Sequence, residues 1–320
     1  MTDSNSKEDS LISVIIPVFN EESGIKEFVA ELVEELNTVS SRYEIILIDD
    51  GSDDESLAVM SEIASLNKSI VLIAFTRNFG KESALSAGLE ACRGGAAISI
   101  DSDFQHPINL VSTVINKWLQ DHCLVIELVK QKRQADTLFK RLLTKCFYWV
   151  LEKDFGDDFD VQSDFKLLDR KVIEIWKGLP ESTIFYRGLI RWMGFESTKV
   201  TFDPAERRYG VPSWKLRSLI EYGYSILISF STRPLKLVFG FSLAFAMMAS
   251  VLFLYTVIQH IFNPGPDGIP TVIVLILMTG SFILLSNGIL GLYLANLMTE
   301  VKRRPRYIIK SIQRTCGDDS

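Results

Sequence analysis

Apolar residues follow two different periods in the first hundred residues of the chain. Leu11–Pro17, Tyr43–Ile48, Ile70–Phe75 and Ala96–Ile100 are short and mostly apolar, which is typical of strands buried on both faces. Between them apolar residues recur every three or four positions, as in Ile25–Leu36, which predicts amphipathic helices. Strands and helices that alternate at this spacing predict an α/β fold with a mainly parallel sheet.

Two of the predicted helices carry a further signal. Ser52 and Glu55 have the spacing of a capping box, which predicts the start of the second helix. Ser83–Cys92 is a predicted helix rich in small residues.

Two long runs near the C-terminus, Val238–Phe262 and Thr271–Met298, contain no Asp, Glu, Lys or Arg. A helix rises about 1.5 Å per residue and must cover about 30 Å of hydrocarbon, so each run is long enough to cross a membrane. The short connection between them is rich in Pro and Gly. We therefore expect a transmembrane hairpin.

Basic residues flank this hairpin on both sides, with Arg233 and Lys236 before it and Lys302, Arg303 and Arg304 after it. The positive-inside rule then places both termini in the cytoplasm. We expect a polar tail at residues 1–10, an α/β domain at 11–212, an amphipathic helix at 213–234, the hairpin at 235–300 and a basic tail at 301–320. The amphipathic helix could lie in the membrane interface or pack on the domain.

Composition and charge narrow the function classes. The net charge of -6, from 34 basic and 40 acidic residues, argues against a nucleic-acid-binding protein. A charged fraction of 23% and the 20 Phe exclude a mostly disordered chain. The 4 Cys and 3 His lack CxxC and HxxxH spacing, so we predict neither a structural zinc site nor a disulfide framework.

Polar residues follow the predicted carboxyl ends of the strands, which is where α/β sheets bind ligands. Asp49 and Asp50 follow the second strand, Lys81 follows the third, and Asp101 and Asp103 follow the fourth. We therefore expect one functional cleft at this edge of the sheet.

The two carboxylates of Asp101 and Asp103 could share a divalent cation. Mg²⁺ and Mn²⁺ prefer oxygen ligands and keep phosphate oxygens in their shell. Gln105 offers another oxygen, and His106 is either a further ligand or a loop residue that shapes the following turn. We expect Asp103 to be an exposed loop acid.

Several motifs in a fixed order carry a family resemblance over roughly residues 10 to 310. ISVIIPVFNE, EIILIDDGSDDES, TRNFGKESALSAGLEA and SIDSDFQHP are followed by SDFKLLDRK, FYRGLIRWMGF, ERRYGVPSWKL and VKRRPRYII. In these motifs the chain resembles the family 2 glycosyltransferases of the Rossmann-like GT-A fold. It is similar in particular to the polyprenyl-phosphate glycosyltransferases, which include bactoprenol glucosyltransferases and dolichyl-phosphate mannose synthases.

The resemblance implies a role for each matching residue. The nucleotide-sugar-binding residues would be Pro17, Phe19, Glu21, Leu47, Asp49, Asp50, Lys81, Asp101, Ser102 and Arg207. Among these, Leu47 and Asp49 would contact the base, and Arg207 would hold a donor phosphate. Asp103 would bind Mg²⁺ or Mn²⁺ together with Asp101 and Gln105. Asp164 and Asp103 would be the catalytic residues, with Asp164 acting as an orienter or a base.

A basic stretch follows the acidic pair and could bind the phosphate of a lipid acceptor. Its candidate residues are Lys130, Arg133, Lys140 and Arg141, and a solvated helix face is the alternative for each. The chain departs from the family nearby, because Glu127–Lys130 replaces a YG-x-R stretch and Ser163 replaces a Gly. Leu292 and Asn296 replace a Glu and an Arg of the second span.

The resemblance implies an inverting transfer of a sugar from a nucleotide donor, with UDP-glucose as the first candidate, to undecaprenyl phosphate. The enzyme would act at the cytoplasmic face of the bacterial inner membrane and would supply an O-antigen or another envelope glycan. We also expect a homo-oligomer that contacts the lipid bilayer. The alternatives are another donor, such as UDP-GlcNAc or an aminoarabinose donor, and a non-catalytic membrane scaffold.

Overall fold

The structure is a computed structural model, and it describes residues 10–40, 42–130, 162–205, 208–209, 232–262 and 269–314. The described residues divide into two compact units. One is an α/β domain that includes residues 304–314, and the other is a pair of long apolar helices.

The α/β domain is built on an eight-stranded sheet. Its strands are β1 (Ile12–Val18), β2 (Tyr43–Asp49), β3 (Ile70–Phe75), β4 (Ala96–Ser99), β5 (Val125–Lys130), β6 (Gln162–Asp169), β7 (Ser197–Phe202) and β8 (Ile309–Arg314). The spatial order is β7-β5-β6-β4-β1-β2-β3-β8. The β1–β2, β1–β4, β2–β3 and β5–β7 pairs are parallel, whereas β6 pairs antiparallel with β4 and β5.

The helices of this domain are α1 (Ile25–Val39), α2 (Ser56–Leu66), α3 (Lys81–Ala91), α4 (Leu110–Asp121), α5 (Arg170–Lys177) and α6 (Tyr186–Trp192). The four predicted strands coincide with β1 to β4 within one or two residues. The predicted mainly parallel α/β domain is therefore confirmed.

The core lies between the sheet and the helices that cover it. Ile15, Ile46 and Ile98 lie in the three central strands and are fully buried. On α1 the apolar face supplies Phe28 and Leu32, which are buried as well. Burial of one such side chain stabilises the fold by about 1.5–3 kcal/mol. The sheet is thus a rigid base for the loops at its carboxyl edge.

The predicted capping box of the second helix is wrong. Helix α2 begins at Ser56, after Glu55, and the N–H of Ser56 donates to Asp54 Oδ1 at 3.0 Å. The hydroxyl of Ser52 instead accepts a hydrogen bond from the N–H of Asn20 at 3.1 Å. Ser52 therefore joins two loops, a long-range contact that local spacing does not reveal.

The C-terminal segment was predicted to be a tail, and the structure corrects this for Ile309–Arg314. These residues form β8, which pairs antiparallel with β3 at the edge of the sheet. The side chains of β8 remain largely exposed. The prediction missed the strand because backbone pairing holds it there, and its apolar residues are too few for a clear pattern.

The second unit contains the helices α7 (Arg233–Phe262) and α8 (Ile269–Lys302). Each contains a stretch long and apolar enough to cross a membrane, at Leu235–Tyr255 and Leu275–Lys302. Both stretches are exposed along their length, unlike the core helix of a soluble domain. The two helices therefore indicate membrane association. The predicted amphipathic helix at 213–234 lies almost entirely outside the described residues.

Candidate active site

The loops that follow β1 and β2 are joined by side-chain and backbone hydrogen bonds. Asn20 has a positive φ of 55°, and its Oδ1 accepts from the N–H of Asp53 at 2.9 Å. The N–H of Glu21 donates to Ser56 Oγ at 2.8 Å. Together with the Asn20–Ser52 bond, these bonds join the two loops at the carboxyl edge of the sheet, where the polar residues were expected to lie.

Asp50 anchors the start of α3 within the domain. Its carboxylate accepts the N–H of Phe79 at 2.7 Å and the N–H of Gly80 at 2.9 Å. Burial raises the pKa of Asp50 to about 6, against the opposing effect of these two bonds. Asp50 was predicted to bind the nucleotide sugar. In the structure both oxygens of the carboxylate hold the backbone next to Lys81, and the contact with the nucleotide sugar stays a prediction.

Four of the residues predicted to bind the nucleotide sugar differ in accessibility. Leu47 is fully buried in the hydrophobic core, so only its backbone could contact the base, and its role there stays a prediction. Asp49 is 1% exposed, and its Oδ1 accepts from the N–H of Ser52 at 3.2 Å. Phe19 is 37% exposed, and Pro17 is partly buried. Phe19 is therefore the most accessible apolar group of this set.

The acidic pair lies with a histidine in one cluster. One ligand atom each of Asp101, Asp103 and His106 lies within 4.8 Å of the other two. His106 Nδ1 lies 3.9 Å from Asp101 Oδ2, and His106 Nε2 is 2.6 Å from Ser163 Oγ. Two carboxylates and an imidazole form a set of donors that could hold a divalent metal. This position is consistent with the prediction that His106 is a further metal ligand.

Asp103 is more buried than predicted. It is 7% exposed, and its Oδ1 accepts from the N–H of Gln105 at 3.0 Å. The backbone of Gln105 therefore orients the carboxylate, in addition to the oxygen that its side chain was predicted to offer. Ser102, between the two acids, is buried as well.

Lys81 links the acidic pair to Asp164. Its Nζ lies 2.6 Å from Asp101 Oδ1 and 2.6 Å from Asp164 Oδ2. On the other side, Arg187 Nε lies 2.6 Å from Asp164 Oδ1. Two cations thus match the charges of two carboxylates, and both oxygens of Asp164 have a cationic partner.

These charges decide the protonation of Asp164. Its burial would raise the pKa, but the adjacent charges of Arg187 and Lys81 outweigh burial and hold the pKa of Asp164 well below its ordinary value. The pKa of Asp101 is lowered too, since Lys81 and His106 outweigh the effect of burial. Asp164 is therefore ionised at neutral pH and is a weaker base than an ordinary aspartate.

Arg187 was not among the predicted site residues, although it lies in the quoted FYRGLIRWMGF motif. The sequence could have indicated Arg187, because a basic residue in a motif shared with the family is a candidate partner for an acid of the site. Tyr186 holds the same helix in place. Its N–H donates to Glu82 Oε2 at 2.7 Å, and its hydroxyl lies 2.7 Å from Ser99 Oγ. Ser99 Oγ also donates to the backbone oxygen of Asp164 at 2.5 Å.

Several predicted residues lie outside the described part of the chain. These are Arg207 and the lipid-phosphate candidates Arg133, Lys140 and Arg141. Lys130 is the last residue of β5. Glu127 begins the stretch that departs from the family's YG-x-R pattern. Its carboxylate forms a buried ion pair with Lys166 at 2.7 Å, which gives the residue a structural role.

The α/β domain has the GT-A fold. A solved structure of mannosyl-3-phosphoglycerate synthase from Rubrobacter xylanophilus superposes with a TM-score of 0.50 over 83% of this chain and 81% of that one. The sequences are 14% identical, so this likeness concerns the fold alone.

Sequence comparison identifies the family. Residues 13–176 match the profile of glycosyl transferase family 2. A bactoprenol glucosyl transferase derived from the SfII prophage of Shigella flexneri is 36% identical over 311 residues, which are 95% of this chain and 98% of that protein. An uncharacterized glycosyltransferase of Synechocystis sp. is 35% identical over 309 residues, 94% of this chain and 95% of that protein. The chain belongs to glycosyl transferase family 2 and is a glycosyltransferase.

Proposed function

We propose that this protein transfers glucose from UDP-glucose to undecaprenyl phosphate, with inversion at the anomeric carbon. The observation that carries the proposal is the charge arrangement around Asp164, which lies between Lys81 and Arg187 and shares Lys81 with Asp101. The Shigella flexneri relative is a bactoprenol glucosyl transferase, and this supports the choice of acceptor and sugar. That relative matches this chain through the apolar helices as well, because the alignment covers 95% of the chain.

The reaction needs placement of two anions more than it needs a base. A lipid monophosphate is already ionised, so one of its oxygens attacks the anomeric carbon directly. The bond from that carbon to the diphosphate breaks, and the nucleoside diphosphate leaves with the bonding electrons. The acceptor and the donor repel each other, so fixed cations and correct alignment lower the barrier.

The residues of the site have distinct roles in this proposal. Asp101 and Asp103, with His106 or Gln105, would hold Mg²⁺ or Mn²⁺, which when bound neutralises charge on the departing diphosphate. Lys81 Nζ lies 2.6 Å from Asp101 and can contact a phosphate oxygen. Asp164 stays ionised and orients Lys81 and Arg187, so we assign it as an orienter in preference to a base.

The membrane helices fit a lipid-linked acceptor. An undecaprenyl chain keeps its phosphate at the membrane surface, so an enzyme that carries two membrane spans meets it there. The positive-inside rule places the α/β domain and both termini in the cytoplasm, where nucleotide sugars are made. We propose that the product supplies O-antigen or other envelope glycan modification in the bacterial inner membrane.

The test is transfer of radiolabelled sugar from a panel of UDP- and GDP-sugars to undecaprenyl phosphate, with the full-length protein in detergent. We expect a chloroform-extractable product from UDP-glucose that needs Mg²⁺ or Mn²⁺ and disappears with EDTA. The matched control is the Asp103→Asn variant, which keeps the shape of the side chain and lacks its charge.

The outcomes separate the alternatives. A lipid product from UDP-GlcNAc or an aminoarabinose donor in place of UDP-glucose would reject the sugar and keep the reaction class. A folded protein that binds no nucleotide sugar would reject the enzyme and support a scaffold. The protease sensitivity of each terminus in oriented vesicles tests the topology.

A further inference from the structure

Arg306 follows the second apolar helix closely in the sequence, and its side chain packs into the α/β domain. Its side chain is 14% exposed. Its guanidinium donates to the backbone oxygens of Leu179 and Glu181, the second at 2.8 Å. It also donates to Ser86 Oγ at 3.1 Å and to Glu90 Oε1 at 3.3 Å. A single side chain therefore binds two separate segments of the domain.

The neighbouring Tyr307 strengthens this attachment. Its hydroxyl donates to Glu90 Oε2 at 2.5 Å. Its ring stacks on Phe75 at a centroid distance of 4.9 Å. Strand β8 then pairs with β3 directly after these contacts. We call residues 306–314 the C-terminal clamp.

The two segments that Arg306 joins are those that supply cations to Asp164. Ser86 and Glu90 lie on α3, which begins with Lys81. Leu179 and Glu181 lie in the loop that leads to α6, where Arg187 lies. Because a helix is stiff over one or two turns, a shift of α3 at Ser86 moves Lys81 as well.

We propose that Arg306 is a positioning residue, which sets the distance between α3 and the loop before α6 and thereby places Lys81 and Arg187 on Asp164. This inference rests on the proposed function and adds to it a residue far along the chain from the acidic pair. Arg306 acts through the elements it joins, since its own contacts are with backbone oxygens and with Ser86 and Glu90.

The test compares full-length Arg306→Gln, Arg306→Lys, Arg187→Gln and the Arg187→Gln/Arg306→Gln double variant. We expect kcat to fall about tenfold or more in Arg306→Gln, with KM for UDP-glucose changed by less than about threefold. Arg306→Lys keeps the charge with a single amine, and we expect it to restore part of kcat. The double variant should be no slower than Arg187→Gln within about threefold, because both changes release the same carboxylate.

Arg314→Gln is the matched control on the same clamp. Arg314 Nη2 donates to the backbone oxygen of Ala91 at 3.4 Å, at the end of α3 that lies farthest from Lys81. We expect its kcat to stay within about twofold of the parent enzyme. An equal loss in Arg314→Gln, an unchanged kcat in Arg306→Gln, or multiplicative losses in the double variant would each overturn the positioning role.

Amide hydrogen exchange decides the inference without reference to turnover. Arg306→Gln should speed exchange both in residues 81–91 and in residues 179–192, whereas Arg314→Gln should leave the second segment unchanged. If Arg306→Gln does not fold, Arg306→Lys is used for the same comparison. Unchanged exchange in either segment would reject the positioning role of Arg306. A parent enzyme that makes no lipid-linked sugar would reject only the proposed function.

Discussion

Replacing Asp164 by Asn removes one charge from a cluster in which two acids balance two bases. Both carboxylate oxygens are engaged, at 2.6 Å from Lys81 Nζ and 2.6 Å from Arg187 Nε. The asparagine keeps one acceptor oxygen, but its amide group must face the other cation. The variant therefore leaves one cation without its partner and gives the cluster an excess positive charge.

The magnitude follows from the burial of the three side chains. Breaking a buried ion pair costs about 3–5 kcal/mol, and an exposed pair contributes about 0.2–1 kcal/mol. Asp164 is 14% exposed, whereas Lys81 is 34% and Arg187 30% exposed, so water compensates part of the loss. We expect the free energy of unfolding to fall by about 2 kcal/mol. We also expect a roughly hundredfold fall in kcat, which corresponds to about 2.7 kcal/mol of lost transition-state stabilisation.

The assay is transfer of labelled glucose to undecaprenyl phosphate, with donor binding measured separately by calorimetry. We expect the donor dissociation constant to change much less than kcat. Asp121→Asn is the matched control, because Asp121 forms an exposed pair with Lys117 at 3.0 Å and lies on α4, away from the cluster. An unchanged kcat in folded Asp164→Asn would refute the orienting role and leave the carboxylate a structural one.

Three further predictions concern the rest of the domain. Asp103→Ala should abolish transfer and weaken Mn²⁺ binding at least about tenfold in an electron paramagnetic resonance titration. Its free energy of unfolding should fall by only about 1 kcal/mol, the contribution of one hydrogen bond. Unchanged Mn²⁺ affinity would contradict the metal role. Burial raises the folded-state pKa of Asp50 to about 6, above its ordinary pKa of 3.8, so ionisation destabilises the fold. Relative to Asp50→Asn, the parent should lose up to about 3 kcal/mol of unfolding free energy as the pH rises from about 4 to 6, and a pH-independent difference would count against this. Gly88→Ala should destabilise by about 1–3 kcal/mol, because the new Cβ would lie 2.2 Å from Ile15 Cγ2; the added Ile15→Ala change should relieve this clash in thermal melting.

The class of fold and most of its first half follow from the sequence. The apolar runs around Ile15, Ile46 and Ile98 predicted β1, β2 and β4 because strands buried on both faces must be apolar throughout. The two charge-free runs predicted α7 and α8 for a related reason, since lipid excludes charged side chains. The acids Asp101 and Asp103 were predicted at a strand end because parallel strands present their carboxyl ends at one edge.

The partners of those residues were decided by the tertiary structure. Asp50 and Leu47 both lie in a motif that the family resemblance matches. In the structure Asp50 binds the backbone of the loop after β3, and the side chain of Leu47 lies in the hydrophobic core. Which way a side chain points at a strand end depends on register and on the loop that packs against it. Such information is not contained in local spacing.

The layered α/β domain, the apolar hairpin and the acidic pair can be read from the amino-acid sequence, because burial and charge are properties of short segments. The contacts of Lys81 and Arg187 with Asp164, and of Arg306 with Ser86 on α3, required the three-dimensional structure. Lys81 and Asp164 are 83 residues apart, and Arg306 and Ser86 are 220 residues apart. Contacts over such separations arise from sheet order and helix packing, which no periodicity in the chain encodes.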